Sequence, residues 1–141
     1  MAKQVTPSEA AELLSKGWKY LDVRSIPEFE QGHPEGATNV PLLHSQAGRM
    51  IPNPEFQQVI EANFGREDKL VVGCKMSGRS AQAVAVLEAA GYTQVAHMRG
   101  GFSGERDMYG RVSAPGWAES GLPVATQAAP GASYAELAKK K

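Results

Sequence analysis

Cys74 is the only cysteine of the chain, and it lies in the run Val71-Val72-Gly73-Cys74-Lys75-Met76-Ser77-Gly78-Arg79-Ser80-Ala81. An apolar stretch of strand type, Leu70 to Val72, ends at Gly73. A short polar loop opens with the thiol, and an alanine- and valine-rich helix starts near Arg79. A thiol between a strand end and a helix N-terminus meets converging backbone N–H groups and the positive end of the helix dipole, and both favour thiolate over thiol. Sulfur or phosphate chemistry follows from that placement. The plain alternative is a buried small hydrophobe, the usual role of a free cysteine.

The other loop residues have assignable parts. The N–H groups of Lys75 through Ser80 would solvate an anion on the sulfur. Lys75 and Arg79 would attract an anionic donor and balance its charge, although a loop lysine is ordinarily just solvated. Arg79 also suits a structural clamp on a carboxylate such as Asp22 or Glu28. Ser77, Gly78 and Ser80 contribute backbone contacts rather than side-chain chemistry, and Met76 completes the loop beside them. Asp22 and Arg24, at a strand end, would brace the loop from behind. His33, His44 and His97 are scattered, so they receive no catalytic role and build no metal site. No cofactor is expected.

Thr6-Pro7-Ser8-Glu9 predicts a helix start with Thr6 as N-cap, Pro7 in the first turn and Glu9 closing a capping box; Gly17 ends that helix. Tyr20 to Val23 reads as a short buried strand. Residues 24–33 read as a loop with at most a short helix, and 37–41 as a short strand. Residues 42–53 read as an irregular surface loop. A helix follows Asn53-Pro54-Glu55 and closes at Gly65, with Phe56, Val59, Ile60 and Phe64 at helical spacing. Lys69 to Gly73 is the strand before the cysteine loop, Ser80 to Ala90 the helix after it, and Gln94 to Met98 a last strand. A glycine-rich segment then carries Trp117 as a packing anchor. Residues 125–141 read as a mobile C-terminal tail after a domain spanning 4–124. Alternating strands and helices argue for an α/β doubly wound fold, with a central, mostly parallel sheet of about five short strands and helices on both faces. Sites in such sheets form at the carboxyl ends of strands, where Cys74 lies.

The chain has 141 residues, 42% apolar and 21% charged, with fifteen basic residues balancing fifteen acidic ones. That length suits one domain with a real core. Neutral net charge gives no argument for a nucleic-acid partner, and no apolar stretch reaches membrane-spanning length. The N-terminus lacks the long apolar core of a signal peptide. A lone cysteine forms no intrachain disulfide and suggests a reducing, cytoplasmic setting.

Two segments together resemble a single-domain rhodanese, a sulfurtransferase module. One is Leu21-Asp22-Val23-Arg24, then Glu28-Phe29, then Gly32-His33-Pro34-Glu35-Gly36-Ala37-Thr38-Asn39-Val40-Pro41; the other is Cys74 to Arg79 with Ser80 behind it. Gly100-Gly101-Phe102 and Gly121-Leu122-Pro123 are similar to the family's ending. The resemblance implies a persulfide on Cys74, a small anionic sulfur donor such as thiosulfate, and a thiol or cyanide acceptor, with a thioredoxin-like or sulfur-carrier protein as one such partner. The six-residue span from Cys74 to Arg79 matches sulfur-transferring members. Phosphatases and arsenate reductases of this fold use a loop one residue longer. Ser77 departs from the glycine usual three residues after the cysteine, Met76 stands where some members carry a cation, and the segment from Phe102 to Trp117 is longer than usual, which would let it cover part of the site. A low-activity binding or carrier module is the reading from a different functional class.

Overall fold

The computed structural model describes residues 2–75 and 78–139. In chain order the elements are β1 (Lys3–Val5), α1 (Pro7–Ser15), β2 (Lys19–Asp22), α2 (Ile26–Gln31), β3 (His33–Pro34), β4 (Thr38–Asn39), β5 (Leu43–Gln46), β6 (Arg49–Pro52) and α3 (Phe56–Asn63). They continue as β7 (Leu70–Gly73), α4 (Gly78–Ala89), β8 (Val95–Met98), β9 (Glu105–Arg106), β10 (Val112–Ala114), a 3-10 turn (Ala118–Ser120), β11 (Val124–Ala125) and α5 (Tyr134–Ala138).

Five strands form one parallel sheet in the order β1-β8-β7-β2-β4. After β2 the chain moves outward to β4; after β7 it moves the other way, to β8. The β2–β7 boundary is therefore a switch point, and the carboxyl ends of these two strands open a crevice there. The register sets Asp22 beside Gly73 on one side and beside Asn39 on the other.

Both sheet faces are covered, so the strands read as near-continuous apolar runs whose residues divide by period two. Leu21, Leu70 and Val72 face a layer with Val59 and Ile60 of α3 and Leu87 of α4. Tyr20, Val71, Ala96 and Met98 face Ala10 of α1, with Phe29 and Trp117. Cys74 joins the first layer. The capping box at α1 is complete: Glu9 N–H donates to Thr6 Oγ1 (3.2 Å) and Thr6 N–H to Glu9 Oε1 (2.9 Å).

Three regions differ from the sequence-based expectation. Lys3–Val5 is an edge strand paired with β8 rather than a lead-in to the helix. Residues 43–52 form an antiparallel hairpin, with Gln46 opposite Arg49. Its two-residue turn has Ala47 at φ 50° and Gly48 at φ 77°, the positive pair that matches the twist of two strands. Its strands are largely exposed, so no apolar pattern announces them.

The C-terminal segment is docked rather than loose. Val124–Ala125 pairs with β3, Ala132 C=O accepts from Asn39 N–H (2.9 Å), and α5 packs on α3 with Leu137 buried. Asn53 and Asn63 amides donate to the Tyr134 hydroxyl (3.2 Å) and to Leu137 C=O (2.9 Å). Met1, Lys140 and Lys141 lie outside the described residues.

Candidate active site

Gly73 must be glycine for steric reasons. A Cβ there would lie 1.9 Å from the Tyr20 hydroxyl oxygen, which packs over the end of β7. Burial holds that phenol far above its ordinary pKa, with the Asp22 charge adding to the effect, so Tyr20 stays neutral. Cys74 follows, 2% exposed. Its Sγ lies 3.3 Å from Ser80 Oγ in the first turns of α4, and Ser80 Oγ lies 2.6 Å from His97 Nε2 on β8.

The backbone of the loop is pinned from the other side. Cys74 C=O accepts from Phe102 N–H (2.7 Å) and Lys75 C=O from Ser103 N–H (2.8 Å). Both carbonyls are thereby committed to the segment after β8. Gly101, at φ 62°, makes this approach possible: a Cβ would sit 2.5 Å from Cys74 O and 2.7 Å from Lys75 C. Gly101 therefore serves a close approach of backbone to the loop.

Asp22 and Arg24 form a buried pair. Arg24 donates through Nε and Nη2 to both Asp22 oxygens (2.8–3.1 Å), and Nη2 also donates to Gly32 C=O (2.6 Å). The guanidinium lies 4.5 Å from the Phe102 ring centroid. Arg24 thus supports the residue whose amide holds Cys74 C=O. The Asn39 amide bridges Asp22 C=O and Arg24 C=O at 3.0 Å each.

Arg79 reaches across to Glu28, 51 residues earlier, as a fork: Nη1 to Oε1 at 2.6 Å and Nη2 to Oε2 at 2.9 Å. Glu28 also accepts from Ser25 Oγ (2.8 Å) and Ser25 N–H (3.2 Å) at the start of α2. Burial opposes ionisation of Glu28. The Arg79 and Ser25 hydrogen bonds and the Arg79 charge outweigh it and hold the carboxyl at about 2. The hydrogen bonds to Glu28 raise Arg79 above its ordinary value against the cost of burial, and the charges of Glu28, Cys74 and Asp22 add to them.

Among the predicted site residues, Cys74, Ser80, Arg79 and Glu28 are thus brought to one corner, with Asp22 and Arg24 behind it. Gly78 opens α4, and Lys75 is exposed between two open clefts. Met76 and Ser77 lie outside the described residues. One cleft, about 580 Å³, is walled by Ser25, Glu28, Arg79 and by Leu43, Ser45 and Met50 of the β5–β6 hairpin. The other, about 310 Å³, lies among Arg24, Gly32, Phe102 and Ser103. Of the long segment from Phe102 to Trp117, Phe102 and Ser103 wall the second cleft, while residues 104–114 line neither. Its β9–β10 hairpin instead projects Met108 and Tyr109 into solvent.

His97 is the neighbour of the Cys74–Ser80 pair to which the sequence did not point. Its only signal is strand parity, since it pairs in register with Val72, two residues before Cys74. The Ser25-x-x-Glu28 spacing was a legible helix start. Among the described residues no three His, Cys, Asp or Glu side chains are placed to share a metal ion.

The rhodanese-like domain family matches residues 6–106. Thiosulfate sulfurtransferase 16, a chloroplastic protein of Arabidopsis thaliana, is 40% identical over 120 residues, which cover 85% of this chain and 90% of that protein. The mitochondrial protein HIGH ARSENIC CONTENT 1 of Arabidopsis thaliana is 39% identical over 95 residues, 67% of this chain and 56% of that protein. The crystal structure of Rv0390 from M. tuberculosis superposes with a TM-score of 0.75 at 27% identity, covering 89% of this chain and 98% of that one. These relatives overturn the cytoplasmic expectation, because similar proteins are named as chloroplastic and mitochondrial. A free thiol argues for a reducing compartment, and a reducing compartment need not be the cytoplasm.

Proposed function

The chain belongs to the rhodanese-like domain family, and from that premise we propose that it is a sulfurtransferase working through a persulfide on Cys74. The Cys74 thiolate attacks the outer sulfur of thiosulfate or a related anionic donor. The S–S bond of the donor breaks, and its electron pair leaves with sulfite. An acceptor thiolate, or cyanide, then attacks the outer persulfide sulfur and releases the Cys74 thiolate. Neither step changes the total charge or needs an external oxidant. Lys75, exposed between the clefts, draws the anion in. The larger cleft exceeds what so small a donor fills, which favours a bulkier thiol as acceptor, including one carried on a protein.

One observation carries sulfur over phosphate transfer: Arg79 is spent on Glu28. A phosphate or arsenate carried covalently on the sulfur would require that guanidinium fork, whereas the single sulfur atom of a persulfide requires only loop amides. A low-activity binding or carrier module is the second reading, with arsenate reduction behind it, one similar protein carrying arsenic content in its name. A chain with one cysteine would depend on an external thiol to close that cycle.

Intact mass distinguishes these. Thiosulfate should add one sulfur, about 32 Da, to the wild type and nothing to Cys74→Ser. No gain, with phosphate released from an aryl phosphate or arsenate consumed in the presence of glutathione, would refute sulfur transfer. Inertness in all three assays would leave a binding module.

A further inference from the structure

We propose that His97 is a positioning residue for Cys74, acting through the Ser80 hydroxyl as a buried proton relay; this rests on Cys74 being the nucleophile. The three side chains stand in series, Sγ to Oγ at 3.3 Å and Oγ to Nε2 at 2.6 Å, from the loop after β7, from α4 and from β8. Ser80 is fully buried and His97 only 6% exposed. A hydroxyl has one proton to give, so its two neighbours are coupled. With Nε2 bare, Ser80 donates to the ring and the Cys74 thiol donates to Ser80. With Nε2 protonated, the ring donates to Ser80, and the Ser80 proton is aimed at a thiolate.

One concerted shift converts the first arrangement into the second. The S–H bond breaks and an Oγ–H bond forms; the original Oγ–H bond breaks and an Nε2–H bond forms. The products are thiolate and imidazolium, and no electrons change hands. The reverse shift returns the proton.

The ring end of this chain has its own outlet. His97 lines a cavity of about 180 Å³ with Ala2, Gln4, Ala81, Val84 and Glu88. None of these residues lines the clefts beside Lys75, so the proton leaves away from the donor. Among the described residues Glu88 of α4 is the charged side chain lining that cavity. In the sheet His97 is flanked by Gln4 of β1 and Val72 of β7; Cys74 faces it through Ser80.

The test is the pH dependence of Cys74 alkylation by iodoacetamide, a neutral reagent selective for thiolate, followed by intact mass. The wild type should show two coupled ionisations. His97→Gln keeps a hydrogen-bonding group of similar reach that does not titrate, and should show one. Ser80→Ala, which cuts the chain between ring and sulfur, should also show one, with the inflection displaced upward by about a unit, or tenfold in rate at neutral pH. Superposed profiles for all three would overturn the relay. Should a variant fail to fold, NMR titration of the His97 ring in wild type before and after alkylation reads the same coupling: a shifted midpoint supports it and an unchanged one refutes it. Alkylation needs no sulfur donor. No mass gain from thiosulfate with differing profiles would therefore sink sulfur transfer and leave the relay standing, and a mass gain with superposed profiles would do the reverse.

Discussion

Replacing Glu28 by glutamine keeps the side-chain length and removes the charge that holds Arg79. In the folded protein the carboxyl sits at about 2, against an ordinary value of 4.5. At about 1.4 kcal/mol per unit, that displacement corresponds to ~3 kcal/mol of stability at neutral pH. The pair is not fully dry, with 18% of the Arg79 and 25% of the Glu28 side chain exposed. Solvent screening brings the expected contribution to about 2 kcal/mol. The sign follows from the direction of the shift. A depressed carboxyl stabilises the fold above its unfolded value and loses that contribution as pH falls from about 4.5 toward about 2. Urea denaturation of wild type and Glu28→Gln should differ by about 2 kcal/mol near neutral pH, and the difference should narrow to roughly half near pH 3. A difference of the same size at both pH values would refute the reasoning, since the loss would then come from packing or from the Ser25 contacts and not from the ion pair.

Gly101→Ala places a methyl 2.5 Å from the Cys74 carbonyl oxygen at a residue with φ 62°. Backbone cannot yield there as a side-chain tip would, so urea midpoints should report a loss of about 2–4 kcal/mol, and sulfur uptake by Cys74 should slow. Wild-type stability in this variant would mean that the loop is not held where Phe102 and Ser103 place it. Leu137→Ala empties a site only 4% exposed and should cost about 2–3 kcal/mol in the same assay. A variant as stable as wild type would mean that residues 126–139 do not dock in solution.

The parts legible in the sequence are those governed by neighbours along the chain. The capping box of α1 lies within four residues, and Gly17 and Gly91 sit where the chain leaves a helix at positive φ. Strand, thiol and helix around Cys74 are continuous in the chain, so the thiol and its loop stand out before any fold is known. The β5–β6 hairpin did not, because its strands present no apolar face and its turn puts an alanine where glycine or asparagine is usual. The docking of α5 was hidden for the opposite reason: five residues of weak pattern become a helix only because Leu137 finds α3.

Residue types and spacing by themselves determined the doubly wound class and the family and singled out Cys74 as the proposed nucleophile, since each follows from local patterns that need no partner. Only tertiary structure decided what surrounds the sulfur. Glu28 closes on Arg79 across 51 residues, Gly101 admits the backbone that binds the Cys74 and Lys75 carbonyls, and His97 reaches Cys74 through Ser80. A parallel sheet joins strands through crossovers, so side chains that meet at the strand ends are far apart in the chain, and no spacing in one dimension records that they touch.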